Sequence, residues 1–274
     1  MNASLVLAYH YHRIRRLLSN YSLLKYRDCQ GFLVSMHQAG THWLKFMLAG
    51  AIATRHDLPP PRYNHANDII GGPKDPVLYP ALPVLRSAHS LPPWPLYSRA
   101  LYRRLALPPW VVLVRDPRAS LVSNYVKWQA RYGVSFGEFL RGDPGGHHYN
   151  SDLWWCLRFM NAWGRLAAAQ PARVLVLHYE RLQADPAAAL AAVNDHFRLG
   201  LDAQAIAAGV AAGSKEAMQA RHDPARPPGE VRRDGRPWPQ WYEEADRAFV
   251  AGAAAALLRY DFGYDLARWP DTAA

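Results

Sequence analysis

Residues 110–114 read Trp-Val-Val-Leu-Val and run without a polar break into Arg115, Asp116 and Pro117. A strand with one wet face alternates apolar and polar residues, so five apolar residues in a row predict a strand buried on both faces. Three more runs share this character: 31–36 (Gly-Phe-Leu-Val-Ser-Met), 83–88 (Pro-Val-Leu-Arg-Ser-Ala) and 173–178 (Arg-Val-Leu-Val-Leu-His). Helical patterns follow at 41–55, at 117–132 and from Tyr179 onward. Strands of this kind separated by helices predict an α/β fold, with a central parallel sheet flanked by helices. Prolines bunch at 58–63, 90–95 and 222–239 and divide the units; the last stretch is basic and reads as a long loop. Residues 151–169 read as a helix with a Trp-rich apolar face and Ser151 as its N-cap. A final helix is expected over about 242–259. No internal repeat is visible.

The chain has 274 residues, half of them apolar, which fits one α/β domain or two small ones. No run approaches the length of a membrane span, and the Ala-rich stretch 248–258 suits a packed helix. At the N-terminus Leu5, Val6 and Leu7 precede His10, His12, Arg13, Arg15 and Arg16. A secretory signal has the opposite order. Residues 1–27 therefore read as a basic amphipathic arm, either packed on the domain or making peripheral membrane contact, ahead of one domain over 28–268. Cys29 and Cys156 do not make a disulfide framework, which points to a reducing, cytoplasmic compartment. The net charge of +10 favours an anionic partner: nucleotide, nucleic acid, acidic glycan or anionic lipid. His147 and His148 lack spaced Cys, Asp or further His ligands, so they read as a solvated loop and no metal is expected.

Two segments carry candidate chemistry. In the first, Gly40 and Thr41 stand where a strand and loop feed a helix. Free backbone N–H groups and the helix dipole suit a phosphate there, although the pattern lacks the Gly-Lys-Ser/Thr ending of an ATP or GTP loop. In the second, Arg115 leaves the strand 110–114, Pro117 opens the next helix and Ser123 follows eight residues after Arg115. A guanidinium fork and a hydroxyl suit one anion. The same residues also allow a plain Asp116–Arg118 pair at the helix start.

In this order and spacing the segments resemble the sulfotransferase superfamily. Residues 37–43 (His-Gln-Ala-Gly-Thr-His-Trp) are similar to its Pro-Lys-Ser-Gly-Thr-Thr-Trp signature. Arg115, Pro117 and Ser123 match its Arg-x-Pro-x-x-x-x-x-Ser turn. His89 stands in a His-x-x-Pro-like context, and Tyr179-Glu180 opens a segment like its Tyr-Glu-x-Leu-x-x-Asp-Pro. Residues 213–218 resemble its Thr-Ser-Phe-x-x-Met segment, and 232–238 its late Arg-Lys-Gly loop. The likeness spans about residues 31–265.

The resemblance implies a three-layer architecture like that of P-loop NTPases. It also implies transfer of a sulfuryl group from 3'-phosphoadenosine 5'-phosphosulfate to a hydroxyl or amine. Ala39, Gly40, Thr41 and His42 would hold the donor's 5'-phosphosulfate. Arg115 and Ser123 would bind its 3'-phosphate, with Arg232, Arg233 and Gly235 closing over it. Trp43 and Tyr179 would line the adenine pocket and Ser214 would border it. His89 would be the general base. The family's loop lysine is replaced by Gln38, a neutral group at a catalytic place, with His37, His42, Lys45 and Arg86 as nearby candidates for the missing charge. Lys215 stands where the family has Phe. Trp154 and Trp155 would divide between core and acceptor wall. The acceptor would be a small molecule, lipid or glycan, its site built from residues 58–80, 90–97 and 134–155, and no metal would be needed. Two other readings stay open: a non-catalytic or phosphoryl-transferring P-loop-fold protein, and a nucleic-acid binder using the charge and the ten tryptophans.

Overall fold

The computed structural model describes residues 2–145, 147–225 and 235–270. Two helices open the chain, α1 (Ala3–Ser19) and α2 (Ser22–Lys25). Then come β1 (Gly31–Ser35), α3 (Thr41–Arg55), the two-residue strand β2 (Ile70–Gly71), β3 (Leu85–Ala88) and α4 (Arg99–Arg104). The middle of the chain forms β4 (Trp110–Val114), α5 (Pro117–Tyr132), α6 (Phe136–Arg141), α7 (Leu153–Ala169) and β5 (Val174–His178). The remainder is helical: α8 (Tyr179–Ala184), α9 (Pro186–Phe197), α10 (Ala203–Ala212), α11 (Lys215–Ala220) and α12 (Glu244–Leu257).

The five strands form one sheet in the order β2-β3-β1-β4-β5, and each neighbouring pair is parallel. β1 and β4 lie inside the sheet and every residue of both is buried, as their unbroken apolar runs require. From β1 the chain adds β3 on one side and β4 on the other. Connections diverging from one strand leave a crevice at the carboxyl edge of the sheet. That edge carries residues 36–40, His89 and Arg115 on the loops after β1, β3 and β4, and Tyr179 at the start of α8 directly after β5.

α3 is buried from Leu44 to Ala53, and α10 lies directly on it. A Cβ at Gly209 would stand 2.4 Å from the Met47 carbonyl oxygen, so only glycine lets the two backbones approach this closely. α1 is seated on the domain through Tyr9, which is fully buried. The Asn161 amide donates to the Tyr9 hydroxyl at 3.0 Å and to the Leu257 carbonyl at 2.8 Å, tying α1 to α7 and α12.

Two local expectations need correction. The N-cap of α7 is Asp152, not Ser151; its carboxylate accepts from the Trp155 N–H at 2.7 Å. Ser151 is instead turned inward, its carbonyl accepting from Asn124 Nδ2 at 2.6 Å. The last helix starts later than its apolar pattern suggests, because Glu243 and Asp246 form a capping box. Among the described residues no helix is long and apolar enough to cross a membrane.

Candidate active site

The loop after β1 turns through two left-handed residues, Gln38 at φ 59° and Gly40 at φ 86°. Gly40 is the N-cap of α3, and no side chain caps that helix. Its first N–H groups are therefore left for a ligand. A Cβ on residue 40 would meet the Tyr179 ring at 2.7 Å, so a side chain there would both strain the turn and close the space beneath Tyr179.

Arg115 joins three of these parts. Its Nη1 donates to the Gln38 carbonyl at 2.9 Å and approaches Ser123 Oγ at 3.5 Å. Its guanidinium also sits 4.3 Å from the centre of the Tyr179 ring. The Asp116–Arg118 pair exists as well, at 2.7 Å, but Arg118 is buried at the helix start while Arg115 faces the cleft. Trp43 meets Tyr179 edge-on at 6.2 Å and donates its indole N–H to the Gly213 carbonyl at 2.8 Å.

His89 follows β3 directly. Its Nδ1 lies 2.9 Å from the Ser35 carbonyl oxygen and 3.2 Å from Ser35 Oγ, and Ser35 Oγ contacts Thr41 Oγ1 at 2.7 Å. A carbonyl has no proton to give, so the Nδ1 proton belongs to that hydrogen bond and Nε2 keeps the lone pair. His37 stacks on His89 at 4.1 Å and meets Trp155 edge-on at 4.6 Å. His89 is exposed to the open cleft, yet protein groups crowd its ring on the other sides. That desolvation holds its pKa below the ordinary 6.5, aided by Lys45 and Lys127 and opposed by the Ser35 hydrogen bond.

These residues line one cleft of about 620 Å³, the size of a small-ligand site. It includes His37, Gln38, Gly40, Thr41, His42, Trp43, His89, Arg115, Ser123 and Tyr179. Other residues assigned from the resemblance stand elsewhere. Ala39 is buried in the loop and outside the cleft lining. Ser214 lies outside it too, because its hydroxyl caps α11 by accepting from the Ala217 N–H at 3.2 Å; Met218 lines the cleft instead. Gly235 has the left-handed φ of a loop and is not among the lining residues. Arg232 and Arg233 fall outside the described residues. Trp154 is core, with its indole N–H on the Arg141 carbonyl, whereas Trp155 reaches His37.

None of the four candidates fills the place of the missing loop lysine. Burial, with His89 and Lys127 beside it, pulls His37 down to about 3. Crowding and the like charges of Lys45 and Lys127 pull His42 down to about 4, although its ring stays open to the cleft. Both are neutral at pH 7. Lys45 is buried and donates to Asn67 Oδ1 at 2.7 Å, and Arg86 donates to the Gly72 and Asp75 carbonyls. Besides Arg115, the cation that lines the cleft among the described residues is Lys127, one turn beyond Ser123 on α5. Its charge acts on His37, His42 and His89 alike. The i, i+4 spacing from Ser123 was the available signal for Lys127. Among the described residues no cluster of His, Cys, Asp and Glu could hold a metal ion.

Residues 100–203 match the model of a sulfotransferase family. The fold is that of solved sulfotransferase structures. A mouse sulfotransferase, SULT7A1, complexed with PAP aligns over 91% of both chains at 16% identity and a TM-score of 0.54. A retinol dehydratase in complex with retinol and PAP aligns over 88% of this chain and 83% of its own, at 16% identity and 0.53. A further retinol dehydratase structure, with androsterone and PAP, aligns over 90% and 88% at 16% identity and 0.54. No curated protein matches the chain in sequence. The likeness to the sulfotransferase superfamily and the P-loop-like α/β architecture both hold.

Proposed function

We propose that this chain is a sulfotransferase that uses 3'-phosphoadenosine 5'-phosphosulfate as donor and a small-molecule hydroxyl or amine as acceptor. The observation that carries the reading is the convergence of Arg115, Ser123 and the uncapped start of α3 on a cleft that also holds His89. When bound, the donor supplies a sulfuryl group already activated on a phosphate leaving group. The chain's part is to position, to move one proton and to stabilise charge.

Arg115 and Ser123 offer a fork and a hydroxyl to the 3'-phosphate. The first N–H groups of α3 and the Thr41 hydroxyl face the 5' end. Trp43 and Tyr179 present flat apolar faces to the base. His89 takes the acceptor's proton on Nε2 while its Nδ1–H stays on Ser35. Lys127 supplies the positive charge that Gln38 lacks. PAP in the similar structures supports the donor assignment, and retinol and androsterone in two of them support a small apolar acceptor. No described residue lining the cleft is acidic, which favours sulfuryl over Mg²⁺-assisted phosphoryl transfer.

The test is to incubate the chain with sulfur-labelled donor and a panel of alcohols, phenols and amines. Label should pass to one class with release of adenosine 3',5'-bisphosphate. Transfer from ATP instead would overturn the reading.

The pH profile is a separate prediction. A base works only when deprotonated, and the His89 pKa is depressed. The acid limb of kcat/KM should therefore have its midpoint below pH 6.5, with a plateau above it. A midpoint above 6.5 would contradict the assignment of His89 as base.

A further inference from the structure

α1 has two apolar faces. One, centred on Tyr9 with Leu5 and Val6, packs on the core. The other carries Leu7, Tyr11, Ile14 and Leu18, spaced four, three and four residues apart, so they share one face of the helix. All four are at least half exposed. The stripe continues past the helix end to exposed Tyr21, whose hydroxyl accepts the indole N–H of exposed Trp94 at 3.0 Å. A helix already held by one face has no folding reason for a second apolar stripe of this length.

The charge around the stripe identifies its partner. Residues 1–27 contain five Lys and Arg and no Asp or Glu, and residues 90–114, which include Trp94, contain three Arg and no Asp or Glu. Arg15 and Lys25 are exposed on the first segment, and Arg99, Arg103 and Arg104 on the second. Two copies of the chain meeting through this face would bring basic rim against basic rim. An anionic bilayer instead accepts the apolar ridge among its acyl chains and the arginines among its headgroups, with Tyr21 and Trp94 at the level where such rings settle.

We infer that the outer face of α1, together with Trp94, docks the protein on the surface of an anionic lipid bilayer. The docking does not depend on the proposed chemistry. The segment that follows α1 touches the His89 loop: Ser22 Oγ of α2 lies 3.0 Å from Ser90 Oγ, next in sequence to His89.

The test is co-sedimentation of the full chain with vesicles of phosphatidylcholine alone and of equal parts phosphatidylcholine and phosphatidylglycerol. The chain should pellet with the second and stay in the supernatant with the first. Arg15→Gln, a conservative surface change, should weaken partitioning about fivefold. Ile14→Asp combined with Leu18→Asp should abolish it, with melting temperature and circular dichroism unchanged. Absence of pelleting, or equal pelleting of parent and variants, would overturn the inference. So would a concentration-dependent dimer that the Asp variants dissolve while vesicles stay unbound, since the face would then belong to a second copy.

Discussion

Alanine in place of His89 should lower the rate of sulfuryl transfer by about 10²–10⁴-fold, the usual contribution of a positioned proton acceptor. Affinity for adenosine 3',5'-bisphosphate should stay close to that of the parent. The two effects should separate because the imidazole contacts Ser35 and His37, while the proposed nucleotide set is Arg115, Ser123 and Tyr179, which contact one another. With His89 in place, burial and neighbouring positive charge hold His37 down to about 3 and His42 to about 4. Single-turnover rates on an acceptor found in the panel, with calorimetry for the bisphosphate, read both quantities. A rate within a few-fold of the parent would remove His89 from the reaction.

Loss of Lys127 should cost nearly as much. Lys127→Ala removes a cation from the cleft, and losing one transition-state contact of this kind costs on the order of 10²–10³ in rate. Arg115 cannot move to replace it without leaving the Gln38 carbonyl, Ser123 and the Tyr179 ring. Gln38→Lys in the same background returns a positive charge to the loop and should recover part of the loss. The pH profile supplies a readout of position. A nearby cation disfavours the imidazolium and depresses the His89 pKa, so its removal should raise that pKa and move the acid limb to higher pH. A slower variant with an unmoved limb, or no rescue by Gln38→Lys, would place Lys127 outside the charge-stabilising set.

The sheet was legible because β1 and β4 are runs that burial on both faces explains, and β5, though an apolar run, lies half-buried at the sheet edge. β2 was not, since two residues leave no periodicity to read. Arg115, Ser123, Gly40 and His89 were legible through the order of their motifs, and the carboxyl edge of the sheet brings all four into one cleft. Ser214 misled because a serine before a helix serves the helix first, and Ser151 misled because Asp152, one residue on, is the better placed acceptor. Lys127 went unread for a different reason. A lysine in a helix is ordinarily a solvated charge, and only the direction in which α5 leaves β4 turns it toward the loop that lacks its own cation.

Ligand-induced stabilisation by adenosine 3',5'-bisphosphate, beside 5'-AMP and ATP at equal concentration, tests the central claim most directly. At about 100 times its dissociation constant a ligand adds roughly 2.7 kcal/mol, a rise of several degrees in Tm for a chain of this size. The bisphosphate should give a shift well above that of the other two, and Arg115→Ala, which removes the fork assigned to the 3'-phosphate, should lose it. An equal shift with 5'-AMP, a preference for ATP, or an Arg115→Ala variant that still selects the bisphosphate would contradict that claim.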